Sequence, residues 1–296
     1  MISRRRFLLR AGGIAALGAV GSSAYAVGVE PSLLDVTTYK FTPARWPVGQ
    51  KLRICVIADI HACEPWMSAK HIRDMALMAN ELKPDITLLL GDYYAGHDYI
   101  SRAVPAPEWG EALSVLKAPL GVYAILGNHD LWHGLQPSLP SDDGQAAISA
   151  LKAAGIKLLF NDAIRLSKDN KPFWLLGLGD QLAMRLGRGR FRGLDDLSGT
   201  LAMVKDNAPV ILMAHEPFIF SRVPERVDLT LCGHTHGGQI NLPIIGAGLD
   251  YGRKFKHVYG YINENNREMI ISGGLGTSFL PIRVGRPPEI LDIHLG

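Results

Sequence analysis

Short runs of apolar residues recur along the chain, and each run ends at a polar residue or a glycine. The apolar positions are nearly continuous rather than alternating, which is typical of strands covered on both faces. After the first run, Ser68 can cap a helix that continues to about Leu82, and a second helix is predicted around residues 108–116. Strands that alternate with helices predict an α/β protein. The predicted strands comprise residues 52–58, 85–90, 122–126, 210–214 and 227–232.

Three further strand-like runs lie near residues 174–176, 269–271 and 289–293. They suggest a second sheet that packs on the first. The chain has 296 residues, of which 47% are hydrophobic, enough for one large core. It shows no internal repeat and no low-complexity linker. Residues 27–296 are therefore predicted to form a single domain.

Residues 1–26 resemble a twin-arginine export signal. Residues 3–8 read Ser-Arg-Arg-Arg-Phe-Leu, and the pattern departs from the usual one only at Leu9, where a lysine is common. An uncharged stretch rich in alanine and glycine follows over residues 11–29, and Ala24-Tyr25-Ala26 offers a cleavage site. The alternative is that the segment is retained as a membrane anchor. The sequence thus predicts export by the twin-arginine machinery to the periplasm, the cell envelope or the outer face of the cytoplasmic membrane.

The formal charge depends on this segment. The whole chain carries 31 basic and 28 acidic residues, a net charge of +3. The first 26 residues hold four arginines and no acid, so their removal leaves 31 − 4 = 27 basic residues against 28 acidic ones, or −1. A nearly neutral domain gives no electrostatic reason to bind bulk nucleic acid.

Polar side chains able to bind metal follow five of the predicted strands. In open α/β sheets, ligands bind beyond the carboxyl ends of the strands, so these side chains are expected to meet there. Carboxylate, amide and imidazole donors without thiolate suit Mn, Zn, Fe, Co or Ni better than a structural zinc site. The set predicts two divalent metal ions. The candidate residues are Asp59, His61, Asp92, Asn128, His129, His215, His234 and His236.

Individual residue types suggest individual roles. Asp92 can bridge two cations with its two oxygens, and Asn128 adds a ligand without adding negative charge. His129 is then free to protonate a leaving oxygen or to stabilise phosphoryl charge. Asp130 either orients His129 or caps the next helix.

In this order, the blocks Asp59-Ile60-His61, Gly91-Asp92, Gly127-Asn128-His129-Asp130, His215 and Gly233-His234-Thr235-His236 resemble the motifs of the calcineurin-like metallophosphoesterases. The resemblance implies a four-layer α/β/β/α sandwich with two central mixed β-sheets. It also implies a ligand arrangement. One metal takes Asp59, His61, Asp92 and His236, the other takes Asp92, Asn128, His215 and His234, and His129 is the catalytic imidazole.

One position departs from the family pattern. Many relatives have an aspartate three residues after the bridging aspartate, where it pairs with the catalytic histidine, and this chain has Ala95 there. Asp98 and Asp130 are the candidates to replace it. The chain after Gly237 further resembles a bacterial branch of exported or membrane-associated phosphodiesterases, which includes relatives that cleave the pyrophosphate of a UDP-linked acylated glucosamine.

The expected activity is hydrolysis of a phosphodiester or pyrophosphate by a hydroxide that bridges the two metals and attacks phosphorus. The substrate is expected to be linked to a lipid or a nucleotide. A membrane surface is a further expected partner of the protein. His97 and His133 are secondary candidates for substrate contact. A basic stretch containing Arg185, Arg188, Arg190 and Arg192 is either a site for a phosphate or anionic headgroup, or a solvated loop.

The alternative from another class is a non-catalytic envelope protein that binds metal or phosphate in the same pocket. A complete ligand set together with His129 favours the enzyme. Chelator-sensitive hydrolysis by the purified protein distinguishes the two.

Overall fold

The computed structural model describes residues 21–132, 144–242, 246–247 and 256–296. The helices of these residues are α1 (Ala69–Glu81), α2 (Ala106–Leu113), α3 (Asn128–Trp132), α4 (Gln145–Ala153) and α5 (Leu197–Ala202). The strands are β1 (Asp35–Phe41), β2 (Leu52–Ile57), β3 (Cys63–Glu64), β4 (Ile86–Leu89), β5 (Arg102–Ala103), β6 (Val122–Ala124), β7 (Lys157–Leu158), β8 (Asp162–Lys168), β9 (Lys171–Gly177), β10 (Met184–Gly187), β11 (Arg190–Arg192), β12 (Val210–Met213), β13 (Leu229–Cys232), β14 (Asn241–Leu242), β15 (Gly246–Ala247), β16 (Gly260–Glu264), β17 (Arg267–Ile271) and β18 (Glu289–Leu295).

Two six-stranded sheets form the centre of the molecule, and both are mixed. The first has the order β1-β18-β2-β4-β6-β7, in which β2, β4, β6 and β7 are parallel and β18 is antiparallel to β2. The second has the order β16-β17-β13-β12-β9-β8, with four parallel central strands and an antiparallel strand at each edge. Smaller two-stranded ribbons pair β3 with β5, β10 with β11, and β14 with β15.

Alternate residues of each strand point in opposite directions, so each sheet has two faces. One face of each sheet packs against the other sheet. Ile54 and Val56 of β2 pack in one buried cluster with Leu175 and Ile211 of the second sheet. The opposite face of β2, including Cys55, packs with the buried faces of helices α1, α2 and α4. The outer face of the second sheet is covered by α5 and the 3₁₀ helix Pro217–Ser221. The predicted four-layer α/β/β/α sandwich is therefore confirmed.

The assignment of strands to sheets was wrong in one respect. The run at residues 289–293 was expected in the second sheet, but β18 lies in the first sheet between β1 and β2. Conversely, β12 and β13 lie in the second sheet beside β9 and β17. Apolar runs covered on both faces look alike in sequence, so only the pairing partners decide which sheet a strand joins.

The helix predictions hold with shifted ends. Ser68 caps α1 by accepting a hydrogen bond from the backbone N–H of His71 at 3.1 Å. Helix α2 begins at Ala106, earlier than predicted, with a proline in its first turn where a missing N–H costs nothing. It ends at Leu113 rather than near residue 116.

Most of the proposed export segment lies outside the described residues, since the description begins at residue 21. Its last part forms a short π-helix at Tyr25–Val29 and a 3₁₀ turn at Glu30–Ser32. The backbone carbonyl of Val27 accepts a hydrogen bond from the indole of Trp66 at 2.9 Å. Within the described part of the chain, no helix has the length and apolar character to cross a bilayer. The signal and the domain boundary at residue 27 remain predictions.

Candidate metal centre

The loops that follow β2, β4, β6, β12 and β13 meet at one edge of the sandwich. Backbone hydrogen bonds join them, from Asp59 N to Gly91 O at 3.1 Å and from His61 N to Asp92 O at 3.0 Å. The turns are tight. A Cβ atom at Gly91 would lie 2.4 Å from the backbone nitrogen of Gly127, so this position tolerates only glycine.

Five of the candidate residues adopt the left-handed backbone region, which non-glycine residues seldom enter. Strain of this kind persists where surrounding structure holds it, and it concentrates at functional sites. The residues and their φ angles are Asp59 (52°), His61 (48°), Asp92 (58°), His234 (70°) and His236 (51°).

The first group of donors contains Asp59, His61 and His236, with one ligand atom from each lying within 4.8 Å of the others. The Nε2 atoms of His61 and His236 are 3.1 Å apart. Nε2 of His236 lies 3.8 Å from Oδ1 of Asp59. All three side chains are buried.

The second group contains Asp92, His215 and His234, also with ligand atoms within 4.8 Å of one another. Oδ1 of Asn128 lies 2.9 Å from Nδ1 of His234 and so extends this group. Oδ2 of Asp92 lies 3.1 Å from Nε2 of His215 and 3.6 Å from Nε2 of His61. Asp92 is thus in contact with both groups.

Backbone carbonyls orient the imidazoles of the first group. Nδ1 of His61 lies 2.7 Å from the carbonyl oxygen of Tyr94, and Nδ1 of His236 lies 3.3 Å from that of Gly276. A carbonyl only accepts, so each Nδ1 carries the hydrogen and each Nε2 presents a lone pair. Two lone pairs that face each other at 3.1 Å repel unless positive charge lies beside them. This donor set fits a divalent cation.

Electrostatics support neutral imidazoles at three of the positions. Burial lowers the pKa of His61 and of His234 to about 3, and it also lowers the pKa of His236 well below its ordinary value. Neutral imidazole is the form that binds metal. His215 differs: burial lowers its pKa, but the carboxylates of Asp92, Asp59 and Glu216 together outweigh burial and raise it. The contact therefore favours a positive charge between Nε2 of His215 and Oδ2 of Asp92, and either a proton or a metal cation supplies that charge.

His129 lies beside the two groups rather than in either one. Its ring meets the ring of His61 edge-on at 4.9 Å, and its backbone N–H donates to Oδ1 of Asp92 at 2.8 Å. Burial lowers its pKa, and a hydrogen bond to the backbone of Ala95 opposes that shift. Ala95, which replaces the usual aspartate, thus contacts His129 through its main chain. This contact does not depend on the side chain at position 95.

Neither suggested substitute takes that place. Asp98 is exposed. Both oxygens of Asp130 accept backbone hydrogen bonds, from Asp92 at 2.9 Å, Gly127 at 2.8 Å and Tyr93 at 2.8 Å. Asp130 therefore ties the loop that carries Asp92 to the loop that carries Asn128.

A comparison with known families decides the identity. The model of the calcineurin-like phosphoesterases matches residues 52–238, more than half of the chain and all eight candidate residues. The chain belongs to this family. It is a metal-dependent phosphoester hydrolase, and the predicted family, enzyme class and dinuclear metal requirement are confirmed.

Two relatives extend over almost the whole chain. The uncharacterized metallophosphoesterase YkuE of Bacillus subtilis (strain 168) is 29% identical over 299 residues, covering 98% of this chain and 96% of the relative. Phosphodiesterase YaeI of Escherichia coli (strain K12) is 29% identical over 297 residues, covering all of both chains. Among solved structures, the phosphopantetheinyl hydrolase of Mycobacterium tuberculosis is 12% identical with a TM-score of 0.42, covering 78% of this chain and 91% of the other. That score is too low for the match to bear on this phosphoesterase.

One residue of this phosphoesterase's site was not identified from the sequence. Arg283 is fully buried, and its guanidinium donates to the carbonyl oxygens of Gly273 at 2.9 Å and Gly274 at 3.1 Å, as well as to Gly276. It also lies 3.5 Å from Nδ1 of His236. Burial lowers its pKa to about 10. Arg283 therefore supports the turn that orients His236, and the run of glycines at 273–276 is the sequence feature that could have indicated such a turn.

Two buried acids were also missed. Asp180 and Glu216 form a third group of possible ligands with His215, again within 4.8 Å of one another. Burial raises the pKa of both carboxyl groups. Asp180 accepts a hydrogen bond from the backbone of Leu182 at 2.7 Å, and Glu216 accepts one from Gln181 at 3.2 Å. They are buried acids that lie beside His215.

The secondary candidates have mixed outcomes. His97 is buried, with Nε2 at 3.0 Å from the hydroxyl oxygen of Thr277, and its ring lies against Trp66. His133 lies outside the described residues.

Proposed function

We propose that this phosphoesterase hydrolyses phosphodiesters, including diesters of the pyrophosphate type, at a centre of two divalent cations. The observation that carries the proposal is the position of Asp92, whose Oδ2 lies 3.1 Å from a histidine of one donor group and 3.6 Å from a histidine of the other. A carboxylate so placed suits a ligand shared by two cations. The diester preference is supported by the full-length relative YaeI, which is named a phosphodiesterase.

The proposed ligands divide between the two cations. Asp59, His61, Asp92 and His236 hold one of them, and Asp92, Asn128, His215 and His234 hold the other. The grouping of donor atoms supports Asp59, His61 and His236 for one cation. It supports Asp92, His215 and His234 for the other, and Asn128 is supported by its contact with His234. The donor set is compatible with Mn, Zn, Fe, Co or Ni.

The bound cations would supply Lewis acidity and activate water at neutral pH. The protein's part is to position the remaining groups. One ring nitrogen of His129 is engaged by the backbone of Ala95, so the other is available to the substrate. In the protonated ring that nitrogen would donate a hydrogen bond to a phosphoryl oxygen or a proton to the leaving oxygen.

The test uses bis(4-nitrophenyl) phosphate and the purified protein. We expect hydrolysis that is lost after treatment with a chelator and restored by one or more of the five metals. Asp92→Asn should lower kcat at least about 100-fold, because it weakens a ligand shared by both cations. Asp98→Asn, an exposed aspartate near the same loop, is the matched control and should retain activity.

The outcome that contradicts the proposal is specific. A folded, metal-loaded protein that binds phosphate but hydrolyses neither mono- nor diesters would instead be a binding protein. Activity toward 4-nitrophenyl phosphate alone would indicate a phosphomonoesterase. Activity of Asp92→Asn equal to that of the wild type would refute the ligand assignment.

The natural substrate is proposed to carry a lipid or a nucleotide, and the protein to work near a membrane surface. Support comes from the ribbon formed by β10 and β11, which exposes the apolar residues Met184, Leu186 and Phe191 among its arginines. Exposed apolar side chains interspersed with arginine are typical of surfaces that meet amphipathic ligands. A panel of phospholipids and sugar nucleotides, assayed for phosphate-ester cleavage, tests this part of the proposal.

We also propose that the protein is exported by the twin-arginine machinery. The support is the arginine-containing pattern of residues 3–8 and the weakly hydrophobic stretch after it. The double replacement Arg4→Lys and Arg5→Lys should retain the protein in the cytoplasm when cell fractions are compared by immunoblot. Unchanged export of this variant would contradict the proposal.

A further inference from the structure

The basic stretch of the sequence forms a two-stranded ribbon beside the candidate catalytic histidine. Strand β10 pairs antiparallel with β11, and Arg185 lies opposite Phe191. Residues opposite each other in a ribbon share a face, whereas neighbours along a strand point to opposite faces. Arg185 and Phe191 therefore form one face, and Arg190 and Arg192 belong to the other. Residues 181–194 contain four arginines and no acid.

The face with Arg185 packs on Trp132, at the end of α3. The guanidinium carbon of Arg185 lies 3.8 Å from the centre of the indole, and Phe191 stacks on the same indole with centroids 5.6 Å apart. The indole in turn contacts the ring of His129 at 5.3 Å. Its Nε1 donates to the carbonyl of Leu182 at 2.8 Å, which holds it in place. Arg185 is thus the arginine of this ribbon that is joined to His129 by ring contacts.

The charge of Arg185 is not balanced by an acid within the part of the chain that the structure describes. Partial burial lowers its pKa, and no carboxylate acts in the opposite direction. The cation also lowers the pKa of His129, so the two groups interact electrostatically. Arg283, which lies beside His236, is committed to backbone carbonyls. Arg185 has no such commitment among the described residues and can receive an anion, and guanidinium groups match phosphate geometry well.

We propose that Arg185 is a substrate-binding residue that receives a second phosphate, one carried by the leaving group of the substrate. This inference rests on the proposed function. Where His129 protonates the leaving oxygen, one of the two roles proposed for it, a group on the His129 side of the centre belongs to the leaving group. The two donor groups then hold the reacting phosphate, and Arg185, which is linked to His129 through Trp132, holds the adjacent one.

The reaction is the hydrolysis of a diphosphate diester. Water adds to one phosphorus, the bond from that phosphorus to the bridging oxygen breaks, and the bridging oxygen departs with the second phosphate. The leaving phosphate gains negative charge in this step. Arg185 would stabilise that charge, and His129 would supply a proton to the departing oxygen.

The experiment compares two substrates, bis(4-nitrophenyl) phosphate with one phosphate and UDP-glucose with two, for the wild type, Arg185→Gln and Arg73→Gln. Loss of one charge-assisted contact should lower kcat/KM of Arg185→Gln for UDP-glucose by about 10- to 100-fold. Its kcat/KM for the single-phosphate diester should change by less than about threefold. Arg73→Gln, an exposed arginine on helix α1, should match the wild type with both substrates. Arg185→Lys should recover part of the loss, because it keeps the charge but not the planar stack.

Several results would overturn the inference. Equal losses with both substrates would mean that Arg185 acts on the reacting phosphate or only on the structure of the ribbon. A wild-type enzyme that hydrolyses the single-phosphate diester but neither cleaves UDP-glucose nor is inhibited by it would also exclude a second phosphate site. If the wild type cleaves neither diester, the proposed function itself fails, and this outcome is distinguishable from the other two.

Discussion

Replacement of Asp130 by asparagine tests how the site is assembled. The carboxylate of Asp130 accepts hydrogen bonds from the backbone of Asp92 and Gly127 through Oδ2, and from Tyr93 through Oδ1, at 2.8–2.9 Å. The donors lie on two separate loops, which carry Asp92 and Asn128. The side chain is fully buried, so solvent cannot replace a lost acceptor.

The magnitude follows from the geometry. In Asp130→Asn one oxygen becomes an NH₂ group, which faces backbone N–H donors and can accept from none of them. Burial and the carboxylate of Asp92 raise the pKa of Asp130 to about 7, so the acceptor is charged above that pH. Each hydrogen bond to the charged acceptor then contributes about 1.5–3 kcal/mol, and the oxygen that remains in the variant is no longer charged. We therefore expect the free energy of unfolding to fall by about 3–5 kcal/mol. The loosened loops should also weaken metal binding about 10- to 100-fold.

The assay is guanidinium denaturation of the chelated protein, followed by tryptophan fluorescence, with calorimetric titration of metal into the folded protein. Asp98→Asn is the control, because that side chain is exposed, and should lie within about 0.5 kcal/mol of the wild type. A loss below about 1 kcal/mol for Asp130→Asn, with unchanged metal affinity, would refute the reasoning. Asp130 would then not be needed to join the two loops.

Three further predictions concern catalysis and stability. His129→Gln should lower kcat by about 10²- to 10⁴-fold while metal content and the denaturation midpoint stay unchanged; a change in metal content would make His129 a ligand. Burial raises the pKa of Asp292, but hydrogen bonds with Arg53 and His294 together outweigh it and hold the pKa below 3.8. The stabilisation is present above that ordinary value and lost as pH falls through the folded-state pKa, so the denaturation midpoints of wild type and Asp292→Asn should converge in acid. Leu175→Ala should cost about 2–5 kcal/mol in the same assay, because Leu175 is fully buried between the sheets; a loss below about 1 kcal/mol would contradict that packing.

Much of the architecture can be predicted from the sequence, because it depends on local patterns of apolar and polar residues. The runs at residues 52–58 and 210–214 are apolar at nearly every position, since both faces of their strands are buried. The spacing from Ser68 to Leu82 predicts helix α1 and its cap. The run at 289–293 shows where this information ends. Its sequence predicts a strand but not its partners, β1 and β2, which lie far away along the chain.

For the site, the chain itself determined which chemical groups are present and that each follows a strand. Carboxylates, an amide and imidazoles at strand ends can be listed without coordinates. The groups that orient them could not be listed, because several are backbone carbonyls, such as those of Tyr94 and Ala95, and every residue has a carbonyl.

Tertiary structure alone decided the rest. It brought Asp92 between the two donor groups. It placed Asp130 between two loops rather than beside His129. Of the four arginines in the basic stretch, it placed Arg185 against Trp132. Each outcome depends on which distant segments pack together, and packing is set by burial over the whole fold rather than by any local run of residues.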